Sequence, residues 1–445
     1  MLTPAEVVPL FKDQLYPAFM AERLRLNVID KWYRWHNDDV EIPRGSTREH
    51  RSLVALSKTP WLQLIVTEVA QSLFADGYHT PQMGDDEALS TPWRLWNANG
   101  FVVRQSAIHR AALAYGYSYA TALPADAGSA ALRGVSPRKM LAFYVDAAED
   151  DWPLYAVQWV STVEFKVYDD MAVWPVRSVD GQWTAGDPLM HNAGVCPVVR
   201  YNNMLDLDGR STGEVEPFIA MAKSIDKTKY DRLLTQHFNS FKVRTVTGMV
   251  EGATPAETEA AKLKIAHDTV LAGTGSDMSF GSLPETPLDG FIHAYEQEVK
   301  TLAAVSQTTV YSLVGDLINV SADGLVAARS SADAKVAERQ RSFGQSHSQL
   351  LRLGSSLAGD SDAATDVMAS IKWADTSIRS MSAAADALGK LATMLGVPVM
   401  ALWERIPGVS QNDVDRWKQM LPDADSAALE ALVMPGASAD AGLVA

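Results

Sequence analysis

The sequence predicts an α+β chain, and three observations carry that prediction. Apolar residues recur at helical spacing toward both ends, short alternating segments crowd residues 140–201, and one very long helical pattern follows residue 320. With 445 residues, 47% of them hydrophobic, the chain is large enough for two or three domains with real cores.

Residues 2–30 read as a helix ending in the aromatic cluster Trp32, Tyr33 and Trp35, and the charged stretch 36–51 reads as a loop. Pro60 opens an amphipathic helix carrying Trp61, Leu64, Ile65, Val69 and Leu73, with Gly77 as its stop. A break at 81–86 precedes helices over 93–99 and 101–115, after which 117–123 turns to strand. Alternating or aromatic-rich runs at 141–145, 154–160, 164–168 and 195–201, separated by turns containing Asp150, Asp169, Gly181 and Gly186, predict an antiparallel sheet.

Ser211 and Glu214 have the spacing of a capping box, which predicts a helix running to about residue 238 through Val215, Phe218, Ala222, Ile225 and Leu233. A strand at 241–250, a capped helix at 254–266 and strand-like segments at 269–271 and 278–283 form a small βαββ insert. Its two ends must lie close together, because a helix resumes at Asp289, read as its cap, with an apolar face of Phe291, Ile292, Tyr295, Val299, Leu302 and Val305. A loop at 308–320 follows.

Ser321 caps the long helix, which reads to Gly354 and spans roughly 40 Å or more at 1.5 Å per residue. Leu325, Val326, Val336, Phe343, Leu350, Leu351 and Leu353 are its only large apolar residues, so it needs tertiary or intersubunit support. Residues 364–373 read as strand, 377–395, 399–406 and 412–420 as helices, and the tail from Pro422, acidic and without a basic residue, as disordered.

A net charge of −15 argues against tight general DNA binding, which draws its affinity from Lys and Arg on phosphates. No apolar run has the length of a membrane span and no signal peptide is evident, so a soluble cytosolic chain is expected. Cys196, the only cysteine, reads as a buried small hydrophobe. There is no GxxxxGK[ST] loop, and Gly273, Thr274 and Gly275 read as a plain turn. The run Glu149, Asp150, Asp151 reads as a solvated turn. His347 lies between Ser346 and Ser348 without a GxSxG elbow, and His237 and His293 read as ordinary histidines rather than metal ligands. No catalytic, cofactor or metal residue is therefore assigned.

Residues 56–61 with the helix after them, 74–77, 96–100, 112–119, 197–202, 213–227, 319–328 and 373–390 resemble, in order and spacing, the portal proteins of tailed bacteriophages. Those of long-tailed phages of Gram-positive hosts are the nearest in kind. The resemblance implies a portal fold with a mixed α+β wing (1–212), a two-helix stem (213–240 and 289–307), a small α/β clip (241–288) and a tunnel loop (308–320). A long kinked wing helix with the rest of the wing (321–376), a short helical crown (377–421) and a disordered tail (422–445) complete it.

It further implies a ring of about 12 copies at one capsid vertex, a conduit for double-stranded DNA in packaging and ejection. Implied partners are the large terminase subunit, the head–tail adaptor, and the capsid and scaffolding proteins, with assembly in the host cytoplasm. Carried onto this sequence, Thr309, Ser312, Asp316 and Asn319 belong to the tunnel loop, and Lys242, Arg244, Lys262 and Lys264 to the motor- and adaptor-facing clip. Arg329, Lys335, Arg339 and Arg341 on the long helix are candidates for salt bridges, intersubunit or within the chain to Asp333, Glu338 and acids elsewhere, with direct DNA contact the lesser reading. A capsid or adaptor component without a tunnel, and an α+β hydrolase, are the competing readings.

Overall fold

The computed structural model describes residues 2–36, 40, 48–80, 90–126, 128–240, 244–247, 279–282, 284–309, 322–374, 381–403, 405–406, 408–409 and 411–420. In chain order, α1 (Pro4–Leu10) passes through a π-turn (Phe11–Leu15) into α2 (Tyr16–Tyr33), followed by α3 (Arg48–Ser57), α4 (Trp61–Gln71) and β1 (Ala75–His79). Next come α5 (Thr91–Ala98), α6 (Phe101–Tyr115), β2 (Tyr117–Ala125), β3 (Ser129–Val135), β4 (Met140–Phe143), β5 (Tyr155–Ser161) and β6 (Glu164–Tyr168). They lead to β7 (Ala172–Val179), β8 (Gln182–Ala185), β9 (Leu189–Met190), β10 (Val198–Asn202), α7 (Ile219–Asn239), β11 (Arg244–Thr247), β12 (Ser279–Ser282) and α8 (Asp289–Val305). The long α9 (Ala322–Leu357), α10 (Ser361–Thr365), β13 (Ser370–Trp373), α11 (Met381–Leu395), α12 (Val399–Trp403) and α13 (Gln411–Met420) complete the described elements. The chain divides into two compact units, one of Met1–Ile29, Val66–Gly213 and Asp333–Ala445, the other of Asp30–Ile65 and Glu214–Ala332.

In the first unit the sheet β4-β5-β6-β7-β8, with β9 also on β7, is antiparallel throughout. Its strands alternate, sending Val157, Phe165, Val167, Trp174 and Val176 to one face and Ala156, Tyr168 and Val173 to the other. The first face is covered by Val7, Phe11, Leu15 and Phe19 of the N-terminal helices, all essentially inaccessible to solvent. A strict four-residue repeat drifts about 40° per step on an α-helix. The π-turn at Phe11–Leu15, lying between Pro9 and Pro17, offsets that drift and keeps the four side chains on the sheet. Where the sequence suggested one helix, the structure has two joined by this turn.

The second face meets the sheet β10-β2-β3 through Tyr117, Tyr119, Met140, Cys196 and Val198. Burial pushes the Cys196 thiol up, as suits a packing residue. At the turn between β6 and β7 the Asp169 carboxylate accepts from the backbone N–H of Leu2, Met171 and Ala172 and from Trp174 Nε1, at 2.6–3.1 Å. Burial alone would raise its pKa, but these hydrogen bonds outweigh it and hold the carboxyl below its ordinary value.

Several expected boundaries move, for identifiable reasons. Gly77 does not stop α4; it lies in β1, where the register with β13 shifts. There the Gln105 side chain accepts from Ala75 N–H at 2.7 Å and donates to Ala75 C=O at 3.0 Å, supplying bonds the irregular ladder leaves open. The strand expected over 364–373 begins as α10, capped by Asp360, and is extended only from Ser370. β3, whose Gly134 packs directly on Ile108, escaped the pattern altogether.

Ser211 is not a helix cap. Its hydroxyl donates to Gly116 C=O at 2.5 Å, and a Cβ on Gly213 would lie 2.6 Å from Ala114 C=O. That tetrad is a tight crossing of two chain segments, and the helix starts later, through a 3-10 turn at Glu216–Phe218.

In the second unit α3, beginning inside the stretch expected to be loop, packs on α7, and α7 packs on α8. Tertiary packing overrides a polar local composition here. Asp289 is the first helical residue of α8 rather than its cap. The apolar face of α8 buries Val299, Leu302 and Ala303, whereas Ile292 and Val305 are exposed. Its C-terminus closes with Gln307 at φ +53° and with Thr308 N–H and Gln307 N–H returning to Ala303 and Ala304, a left-handed stop that usually takes glycine.

Candidate functional site

The insert between α7 and α8 is pinched at its base. Asn239 at the end of α7 donates to Thr286 C=O at 2.9 Å and accepts from Thr286 N–H at 3.3 Å. Within it β11 and β12 pair antiparallel, with Arg244 opposite Ser282. Further down, Ser224 donates to Glu298 at 2.6 Å, and Trp61 stacks at a tilt 6.4 Å from Tyr295. Thr59 accepts from Lys229 Nζ at 2.9 Å and its N–H donates to Asp226 at 3.2 Å. Burial lowers the Lys229 ammonium and raises the Tyr295 hydroxyl, which marks this polar seam as partly dry.

Of the residues expected in the loop, Thr309 is described and is buried, at 4% exposure, while Ser312, Asp316 and Asn319 lie outside the described residues. Of the insert's basic residues, Arg244 lies on β11, and Lys242, Lys262 and Lys264 lie outside the described residues. So do the helix expected at 254–266, the Gly273 turn, Ser321 and the tail. The four basic residues of α9 divide: Lys335 and Arg339 are buried, Arg329 is half-buried and Arg341 is exposed. Arg339 serves its own chain, donating Nε–H to Asn203 at 2.6 Å and pairing at 3.0 Å with Glu338, one of the acids named for it in the sequence. Arg341 lines an open cleft of about 500 Å³ between α9 and β13, with Gln340, Gly344, Gln345 and Trp373.

Side-chain donors hold much of the C-terminal half of α9. It docks along the edge strand β10, and Ser342 and Ser346 donate to the carbonyls of Asn202 and Arg200 at 2.7 and 3.0 Å. Gln349, the next polar residue on that stripe, donates to Asp151 C=O at 2.6 Å. Carbonyls that a further strand would have satisfied are thus taken by a helix. The support that α9 lacks in large apolar residues comes from within its own chain. A buried polar stripe at i, i+4, i+7 was the available signal.

Beside that stripe His347 is fully buried. Its Nδ1 lies 2.8 Å from the Tyr201 hydroxyl and its Nε2 lies 2.8 Å from Nε2 of His109, whose Nδ1 reaches Leu73 C=O at 3.1 Å. Burial lowers His347 well below its ordinary value, with His109 adding to the effect, and lowers His109 to about 4. Ser346 is bonded to the sheet, so no nucleophile–base pair forms around His347. The Glu149–Asp151 turn is exposed, with Asp150 accepting from Asp146 N–H at 2.7 Å. Among the described residues no three His, Cys, Asp or Glu side chains gather as a metal site, and no helix is long and apolar enough to cross a membrane.

Polar side chains here fasten helices to sheet edges, to chain crossings and to each other within an α+β fold. The sequence matches the family described as "Phage portal protein, SPP1 Gp6-like" over residues 14–427. The chain belongs to this family of phage portal proteins, which are structural components of phage particles and not enzymes. No curated protein gives a significant match. Among solved structures, a chain from "Virion of native gene transfer agent (GTA) particle" aligns at 14% identity and a TM-score of 0.43, over 90% of this chain and 99% of that one. A chain from "Neck of empty GTA particle computed with C6 symmetry" aligns at 13% identity and a TM-score of 0.43, over 86% and 96% respectively.

Proposed function

We propose that this chain assembles into a closed ring of about 12 copies at one capsid vertex, through which double-stranded DNA is packaged and later ejected. The observation that carries the proposal is the family match across residues 14–427. In this reading 213–240 and 289–307 are the stem, 241–288 the clip that meets the large terminase subunit and then the head–tail adaptor, and 308–320 the tunnel loop. Residues 1–212 and 321–376 form the wing, facing capsid and scaffolding proteins, and 377–421 the crown. The particle is that of a long-tailed phage of a Gram-positive host, assembled in the host cytoplasm, a point that rests on the sequence resemblance.

The Asn239–Thr286 pinch supports the clip assignment, because a module closed at its base can present Lys242, Arg244, Lys262 and Lys264 to a partner without loosening the helices below. Ser312, Asp316 and Asn319 stand in a loop without Lys or Arg, and the chain is acidic overall. Each phosphate a tunnel neutralised would add about 0.9 to the salt slope of binding, so an acidic, cation-free loop lets the duplex slide. Arg341, exposed on α9, is the residue of its basic group best placed to pair with a neighbouring copy.

Native mass spectrometry with electron microscopy of the purified chain tests the ring, with about 12 or 13 copies around a hole expected. A monomer or dimer at micromolar concentration would sink the proposal. Replacing 242–287 with a short linker is expected to leave a folded oligomer that no longer binds its motor. Lys at 316 and 319 is expected to slow packaging.

A further inference from the structure

The hydrogen-bonded chain Leu73, His109, His347, Tyr201 ties α6, α9 and β10 to the segment between α4 and β1, and with both rings neutral its protons can be arranged in only one way. Leu73 C=O can only accept, so His109 Nδ1 carries a proton. A neutral His109 then has a bare Nε2, which must accept from Nε2–H of His347 across 2.8 Å. That leaves His347 Nδ1 bare, and it accepts from the Tyr201 hydroxyl. Every donor meets an acceptor, provided that both rings are neutral.

A proton added to either ring breaks the order. Whichever ring carries the added proton, the 2.8 Å contact between the rings survives only if His347 Nδ1 also bears a hydrogen, which faces a Tyr201 hydroxyl that must then rotate and give up its own bond, and a positive charge is left in a dry site. The surroundings offer no compensation. Each element packed on the pair presents an uncharged ring: Trp96 from α5, Phe101 from α6, Phe343 from α9 and Trp373 from β13. Among the described residues Tyr201 from β10 is the one further titratable group in contact, and burial keeps its hydroxyl protonated. A proton on His109 would itself oppose one on His347.

We propose that this chain is an acid-released latch, which holds the C-terminal half of α9 to α6 and β10 while both histidines are neutral and lets it go when either takes up a proton. The latch belongs to the single chain and stands whether or not the ring proposal does. Its direction follows from linkage. The folded values lie below the ordinary histidine value, so the unfolded chain takes up protons first and the latch's contribution is complete above about pH 6.5. It falls away as pH drops toward the folded value of His109, about 4. At pH 5 a histidine that moves from about 6.5 to about 4 on folding weakens the folding equilibrium about thirtyfold.

Urea unfolding of the full chain between pH 7.5 and 5, at fixed concentration, tests this with His347→Gln and His109→Gln. The wild type is expected to lose stability steeply, and each variant to be weaker at pH 7.5 yet less dependent on pH over that range, His109→Gln by about thirtyfold. Equal slopes in wild type and variants would overturn the latch. If a variant does not fold, hydrogen–deuterium exchange at the imidazole carbon of the wild type, read by mass spectrometry, reports each ring separately. Rings at 109 and 347 that stay neutral down to pH 5, while α9 amides lose protection only below that point, support the latch. Either ring titrating above pH 6 in the folded chain overturns it.

Discussion

Two helical segments lie on sheets in the first unit, and polar side chains take unequal parts in holding them. Helix α9 buries Phe343, Leu350, Leu351 and Leu353 but adds a row of donors. The N-terminal pair α1–α2 sets Val7, Phe11, Leu15 and Phe19 against the face of a sheet, each burial contributing about 1.5–3 kcal/mol. The C-terminal half of α9 lies along a sheet edge and is fastened by Ser342, Ser346, Gln349 and His347. A face is pleated and apolar and calls for bulk. An edge is a row of unpaired carbonyls and calls for donors. The contact made by bulk tolerates a slightly wrong shape, whereas the contact made by donors is directional and charges a full desolvation penalty for each bond missed.

That contrast can be broken at four places. Phe11→Ala, in the middle of the apolar contact and ringed by Tyr16, Phe165 and Trp183, is expected to cost about 3–5 kcal/mol in urea unfolding. Gly116→Ala attacks the base of the polar side. A Cβ there would lie 2.2 Å from Ser211 C=O at φ +100°, displacing the crossing that positions Asn203, the partner of Arg339. A loss of about 3 kcal/mol is expected.

Asp169→Asn removes the polar fastener from the otherwise apolar side, because the amide's NH2 must face donors that the carboxylate accepted. About 2 kcal/mol should be lost at pH 7. Since the folded carboxyl is held below its ordinary value, its contribution is present above about pH 4 and lost as pH falls. The variant's urea midpoint should therefore depend less on pH below 4 than the wild type's. Ser346→Ala, the smallest change, should cost about 1 kcal/mol with no pH dependence between 5 and 8, which separates the serine stripe from the histidines beside it.

The same contrast explains what could be read from residue patterns. β4, β5, β6 and β10 declare themselves because alternation reports a half-buried pleat, and α8 because its apolar residues share a face, whereas β7, β8 and β9 are not singled out. α9 is legible as a helix but not as a packed one, since Ser342, Ser346 and Gln349 at i, i+4 and i+7 look like a solvated face until the carbonyls opposite are known. The Ser211–Glu214 spacing misleads for a related reason: Gly213 serves a backbone crossing with Gly116, nearly a hundred residues earlier, which no local pattern reveals. Arg339 and Lys335 read as salt-bridge residues, but their burial within the chain is not legible from a helix of polar composition.

The pinch between Asn239 and Thr286 bears on how the family diversifies. A segment whose two ends are already joined can change length at little entropic cost, because doubling a closed loop adds only about 0.6 kcal/mol. Insertions, deletions or wholesale replacement between residues 240 and 285 would leave α7 and α8 in register. Selection can therefore refit this part of the molecule to new partners while the helices beneath it stay under constraint, and divergence between relatives should concentrate above that one asparagine.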